Sequence, residues 1–228
     1  MWRKVLWTMA IVASVAFLVV SQFRDGFTVP ENFPVLEVEE IAAEQAAPTG
    51  ATELATLGSG CFWCSEAVFQ QMNGVSNVVA GYSGGHVPNP TTSQVNGEST
   101  GHAEVVQITF DPAVISYPEL LEVFWRSHDP TTPNRQGHDT GPQYRSIIFT
   151  HSDAQKRLAE RYKSKIDAFG VYSKPLVTEI VPFTAFYPAE AKHQHFFEEN
   201  ARQPYSRSVI RPKIDQLRKV FRDRLKDE

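Results

Sequence analysis

Hydrophobic and polar positions change period along the chain. Ala103–Phe110 alternates, with Val105, Gln107 and Thr109 against Val106, Ile108 and Phe110, the period of two of a half-buried strand. Tyr117–His128 instead brings Leu120, Leu121, Phe124 and Trp125 onto one side at helical spacing. On the same grounds Leu54–Leu57 predicts a short strand ending in Gly58-Ser59-Gly60, Cys61–Met72 a helix, and Val75–Tyr82 a strand that stops at Ser83-Gly84-Gly85. The polar stretch HVPNPTTSQVNGESTG leaves no room for a core element. A second long loop, DPTTPNRQGHDTGPQ, leads into a strand over Tyr144–Thr150. A charged helix over Asp153–Phe169 follows, with Ser152 as its N-cap. Leu176–Val181 then reads as a strand and Pro188–Asn200 as a helix. Short strands mixed with helices predict a two-layer α+β domain.

The ends depart from this pattern. Arg3 and Lys4 precede an uncharged, mostly apolar run from Val5 to Val20, the build of a signal segment. That run falls slightly short of the roughly 20 residues a bilayer span needs, unless Trp2 and Ser21–Phe23 are included. Residues 1–23 are therefore expected to be a signal anchor or a signal peptide. The basic residues would hold the N-terminus in the cytoplasm and export the rest, to the periplasm. Residues 24–53, rich in Glu, Pro, Ala and Thr and without sustained period, read as a linker, although Phe33, Val35 and Leu36 suit a domain surface. At the other end, Arg211–Lys226 carries seven Lys/Arg against two Asp, with Ile214, Leu217, Val220 and Phe221 at helical spacing. This predicts a solvated amphipathic tail helix over 208–228.

Composition narrows the function by exclusion. With 42% hydrophobic and 21% charged residues over 228 positions, the chain has enough apolar material for a real core without staples. A net charge of −4 gives no nucleic-acid footprint.

The chain holds two cysteines, Cys61 and Cys64, in LGSGCFWCSE. A disulfide closing so short a loop removes little unfolded-state entropy and staples weakly. A zinc site needs four ligands, and without a second CxxC the cysteines would have to borrow from His102, His128 or His138. A strand-to-helix junction favours a reactive pair: helix N–H groups and the positive end of the dipole stabilise a thiolate on the first cysteine. The second sulfur lies one turn along, within disulfide reach. On spacing alone a thioredoxin-like dithiol fits equally well.

The surroundings are more specific. GCFWC, GYSGG, NPTTSQV, TGHAEVV, HDPTTPNRQGHDTGPQYRS and FYPAEAKHQ occur in that order. Together, over roughly residues 54–205, they resemble the A-type peptide methionine sulfoxide reductases. The resemblance implies a catalytic domain over 54–207, a two-layer α/β sandwich related to the ferredoxin-like arrangement, with no metal or cofactor. It also implies that Cys61 is the nucleophile, that Phe62 and Trp63 receive the substrate's S-methyl group, and that Glu104 protonates the sulfoxide oxygen. Tyr82, Asp139 and Tyr144 would bind that oxygen. The substrates would be free methionine sulfoxide and oxidised methionine in proteins, of the S-epimer, and the reductant a thioredoxin-like dithiol.

The chemistry demands such a set. A thiolate displaces the sulfoxide oxygen only if charge building there is neutralised, which a carboxylic acid kept neutral by burial can do. Phenols donate hydrogen bonds without adding charge. Loss of methionine leaves a sulfenic acid that a second thiol condenses to a disulfide. Many relatives carry further cysteines near the C-terminus, where this chain reads RQPYSRSVIRPKIDQLRK, and Val95-Asn96 replaces a common VC. Pro133 stands where Gly is common, which suggests a stiffened loop. Cys64 is thus the resolving candidate. His102 and His193 fall in matching blocks but serve no necessary step, and are expected to be structural. A non-catalytic module with an aromatic ligand cage is the remaining alternative.

Overall fold

The computed structural model describes residues 33–44 and 51–226. The signal or anchor segment expected over 1–23 and the linker stretches 24–32 and 45–50 lie outside the described residues. No helix among the described residues is long and apolar enough to cross a membrane.

The first described element is α1 (Val38–Ala42), followed by β1 (Glu53–Ser59), α2 (Phe62–Phe69), β2 (Val75–Ser83), α3 (Thr92–Asn96), β3 (Ala103–Phe110) and α4 (Tyr117–Ser127). A two-stranded ribbon, β4 (Arg135–Gln136) and β5 (Asp139–Thr140), leads through a 3-10 turn to β6 (Ser146–Thr150). Then come α5 (Asp153–Phe169), β7 (Glu179–Pro182), β8 (Phe186–Pro188), α6 (Phe196–Glu199) and α7 (Arg211–Val220). Six strands form one sheet in the order β7-β6-β1-β3-β2-β8. Its four central strands are antiparallel and joined β-α-β-β-α-β through α2 and α4, the ferredoxin-like connectivity. β7 adds parallel to β6, and β8 antiparallel to β2.

The strand pleat sorts the core. Leu57, Ala80, Tyr82, Val106, Ile108 and Ile148 face one side and pack with residues of α2, α4, α5 and α7. Val105, Ile147 and Phe149 face the other side and join Val181, Phe183 and Phe186 in a smaller cluster. The expected mixed α/β architecture therefore holds, with α2, α4, α5 and α7 packed on one face of the sheet. Ser152 caps α5 as expected, accepting from Gln155 N–H.

Four expectations need correction. The first polar loop contains α3, where Thr91 and Gln94 form a capping box and Val95 enters the main core. The second holds the β4–β5 ribbon. The helix expected over Pro188–Asn200 is broken. Its first residues form edge strand β8, and the Gln194 side chain bonds both backbone groups of Ala80 as a further strand would. His195 then takes a left-handed conformation (φ 51°) that interrupts the helix. The tail does not stand in solvent: α7 lays Ile214 and Leu217 against the domain, in contact with α2 and α4. Further on, Lys226 N–H donates to the Gln71 carbonyl at 2.9 Å. The boundary expected at residue 207 falls inside the irregular turn Ser206–Ile210 that leads into α7.

The linker is also partly docked. Leu36 is buried in the main core and Phe33 lies edge-on to Tyr162. Glu40 pairs with Lys165, and Glu44 with Arg157 and Arg161, all three cations from α5.

Candidate active site

Cys61 closes β1 and caps α2. The turn depends on Gly60, whose φ of 92° suits no side chain, and a Cβ at this position would stand 2.6 Å from the Gln136 side chain. Cys64 follows one turn later, its N–H donating to the Cys61 carbonyl at 3.1 Å. Both thiols are free, buried and hydrogen-bonded to each other.

The next strands supply the acid. The β2–β3 register sets Tyr82 directly opposite Glu104. Glu104 is 4% exposed, and Oε2 accepts the Phe62 N–H at 3.0 Å. Burial pushes its carboxyl up to about 8, although the Phe62 bond pulls the other way. Glu104 is therefore a neutral acid at physiological pH. Burial also raises the phenols of Tyr82 and Tyr144 above their ordinary range, which keeps both as hydrogen-bond donors.

The thiols correct one expectation. Burial and the bond with Cys64 push Cys61 well above an ordinary thiol, against the expected pull of the helix N-terminus. Cys64 shifts down, chiefly through the hydrogen bond from Cys61. At rest Cys61 is a protonated thiol beside a protonated acid.

The aromatic wall is present but engaged. Phe62 packs 5.7 Å from Tyr82 and 6.3 Å from Trp63, ring centre to ring centre. One face of Trp63 lies flat on Phe196 at 3.7 Å. Its indole N–H donates to His193 Nδ1 at 3.2 Å. Since that N–H only donates, His193 carries its proton on Nε2, which faces Thr92 Oγ1 at 2.8 Å. Tyr82 Oη reaches the same Thr92 oxygen at 2.9 Å.

An open cavity of about 190 Å³ adjoins the sulfurs, lined by Cys61, Cys64, His138, Asp139, Tyr205 and Lys213, among others. The Tyr205 hydroxyl donates to Asp139 Oδ2 at 2.8 Å and lies 3.8 Å from Cys64 Sγ. Asp139 therefore meets the sulfurs by way of Tyr205 and the ribbon. Tyr144, in the 3-10 turn before β6, comes within the electrostatic reach of Cys61 and Glu104. The structure thus gathers all eight candidates, but Phe62 and Tyr82 sit in the main core rather than on the open cavity.

Two of the three histidines considered as metal ligands are otherwise employed, and His138 lines the cavity. His102 bonds the Gly85 N–H and the Val87 carbonyl, and His128 the Phe124 carbonyl and Ser146. No group of three metal-ligating side chains gathers among the described residues.

A model of the family described as peptide methionine sulfoxide reductase matches residues 53–225. The chain belongs to this family. The match runs through α7, beyond the blocks recognised in the sequence. A reductase of the family from Sulfolobus acidocaldarius, MsrA, is 56% identical over 176 residues, covering 75% of this chain and 97% of its own length. MsrA from Thermus thermophilus is 50% identical over 174 residues, covering 76% and 98%. Among solved structures, reduced Mxr1 of Saccharomyces cerevisiae superposes with a TM-score of 0.63 at 33% identity, covering 69% of this chain and 91% of that one. Methionine sulfoxide reductase A of Corynebacterium diphtheriae gives 0.61 at 30% identity, covering 75% and 92%.

Sequence reasoning missed Tyr205, Phe196 and Lys213 in this reductase. For Lys213 a signal existed: a cation within the apolar stripe Ile210, Ile214, Leu217 has no reason to be there unless something needs it. Tyr205 and Phe196 carried none, because only the broken 188–200 segment swings them onto Trp63 and Cys64.

Proposed function

We propose that this chain reduces methionine S-sulfoxide, free or in proteins, to methionine, with thiols as the electron source. Family membership sets aside the thioredoxin-like dithiol and the passive cage. One observation carries the mechanism: two free, buried thiols one helical turn apart share a site with Glu104, a carboxyl buried against the Phe62 N–H, and burial pushes that carboxyl up to about 8.

The substrate's methyl group would meet Trp63, backed by Phe62 from the core, and its oxygen would face Glu104 and Tyr144, with Tyr82 opposite Glu104 on the neighbouring strand. Glu104 gives its proton to the oxygen as the Cys61 sulfur attacks the substrate sulfur. The carboxylate left behind accepts the proton of the Cys61 thiol, so Glu104 ends each cycle as it began. The oxygen moves to Cys61 as a sulfenic acid and methionine leaves. Cys64 attacks that sulfur, water departs, and a Cys61–Cys64 disulfide remains. A thioredoxin-like dithiol returns the pair to thiols. Asp139 acts through Tyr205 on the cavity side, where it holds the hydroxyl that faces Cys64.

Two further readings rest on the sequence. The basic, apolar N-terminus supports membrane anchoring or export, with the catalytic domain outside the cytoplasm. The GCFWC motif and the lack of other cysteines support a single resolving thiol.

The test is to incubate the protein with methionine sulfoxide and dithiothreitol and to separate the epimers. Consumption of the S-sulfoxide alone is expected; consumption of neither epimer, or of both alike, rejects the reading.

A further inference from the structure

The catalytic steps leave one buried charge without a task. Lys213 is 6% exposed, and its ammonium donates to the carbonyl of Ser127, the last residue of α4, at 3.2 Å. Among the described residues it forms no ion pair with a carboxylate. A buried ammonium is costly unless an anion answers it, and the negative end of α4 answers it only in part. The cavity that Lys213 lines contains both sulfurs, with Asp139 and Tyr205.

The charges around the two sulfurs are unequal. Cys64 meets Lys213, which favours its anion, against Asp139, which opposes it. At Cys61, burial opposes an anion first, and Glu104 adds to this only once it has lost its proton. The other group that feels Lys213 is His128, already held neutral by burial. Cys61 is also the more exposed residue of the pair, at 8% against 4%.

We propose that Lys213 is the counter-charge for a thiolate at Cys64, which makes Cys64 the attacking sulfur during resolution and the leaving sulfur during reduction. The inference rests on the disulfide mechanism above. In resolution, the Cys64 thiolate bonds to the sulfur of the Cys61 sulfenic acid. The S–O bond breaks, and hydroxide takes up the proton that Cys64 released and leaves as water. In reduction, a thiolate of the external dithiol bonds to the Cys61 sulfur. The S–S bond breaks, and its electron pair stays on Cys64 beside Lys213. The reductant is then joined to Cys61, and its second thiol frees it. A lower-pKa thiol leaves faster, so the position of Lys213 decides which sulfur is attacked.

Lys213 acts through Cys64, so the test separates the steps. The reduced full chain is mixed rapidly with one equivalent of methionine sulfoxide, and methionine release and disulfide formation are followed across pH. Lys213→Met should release methionine within about twofold of the parent rate and form the disulfide roughly tenfold more slowly, with its pH profile moved upward. Lys213→Arg should restore the rate. Disulfide formation in Lys213→Met at the parent rate and pH profile overturns the proposal. So does equal slowing of both steps in both variants, which marks a merely structural lysine.

A second measurement uses the parent protein alone. The oxidised chain is treated with a thioredoxin whose second cysteine is serine, and the mixed disulfide is mapped by mass spectrometry. Attachment at Cys61 is expected; attachment at Cys64 overturns the proposal. A parent chain that forms no Cys61–Cys64 disulfide on turnover rejects the mechanism beneath it, an outcome distinct from either failure of Lys213.

Discussion

On one side of the sulfurs, Glu104 and Tyr82 face each other across two neighbouring strands, almost wholly buried and fixed by sheet register. On the other side, Asp139, Tyr205 and Lys213 come from a two-residue ribbon, an irregular turn and the tail helix, and they border open space. The division follows the chemistry. Protonating a sulfoxide oxygen requires a carboxyl held neutral, and burial in a sheet does this without moving parts. Resolving and reducing a disulfide requires a thiolate and room for a visiting dithiol, which a partly open wall that includes Lys213 provides.

The largest effects should fall on the thiols themselves. Cys61→Ser should abolish methionine release in either the dithiothreitol or the dithiol-protein assay, and measurable turnover would break the assignment of the nucleophile. Cys64→Ser should instead release one equivalent of methionine and stall, with a sulfenic acid on Cys61 detectable by mass spectrometry. A Cys64→Ser variant that keeps turning over with a protein dithiol would show that the open side is dispensable for resolution.

Next comes the buried side. Glu104→Gln should lower kcat by about 10²–10⁴-fold, the usual worth of a positioned acid. Parent activity should decline as pH rises through about 8, where Glu104 loses its proton. Stability gives an independent reading. The folded carboxyl holds its proton up to about 8, whereas the unfolded one releases it near 4.5. Folding therefore takes up a proton between these values, and this contribution to stability is lost as pH rises through that window. Urea unfolding at pH 5 and pH 9 should show Glu104→Gln gaining on the parent at the higher pH. Equal differences at both would place the carboxyl in solvent.

The smallest effect belongs to a neutral change on the open side. Tyr205→Phe removes the bond to Asp139 and the hydroxyl beside Cys64, and should slow disulfide formation by roughly three- to tenfold, the worth of about one hydrogen bond. Methionine release should change less. If methionine release slows more than disulfide formation, the assignment of the two sides is reversed.

The same contrast governs how much was legible in the sequence. Strict alternation over Ala103–Phe110 placed β3, and with it Glu104, because a one-residue slip would turn the whole apolar set outward. The helix over Asp153–Phe169 was legible for the same kind of reason, from its cap and its period. The region after Leu176 was not. There a glutamine side chain imitates a strand, His195 adopts a left-handed turn, and the chain runs through a π-helical turn before regaining helical period at Arg211. Such features are set by tertiary partners such as Ala80 and Glu66, whose carboxylate accepts the N–H groups of His195 and Phe196. No local window of sequence contains both partners. The helix N-terminus misled for Cys61 chiefly because burial, which the whole fold sets, outweighs it.

The docked segment from Phe33 to Glu44 changes the mechanics of attachment. With Leu36 held in the core and two glutamates clamped by α5, pulling force from the N-terminus would be taken up at Phe33 rather than at β1. If residues 1–23 hold the chain at a bilayer, nine residues separate that segment from Phe33, a reach of at most about 30 Å. The enzyme would then work on a short leash, patrolling oxidised methionines within one protein diameter of the membrane surface.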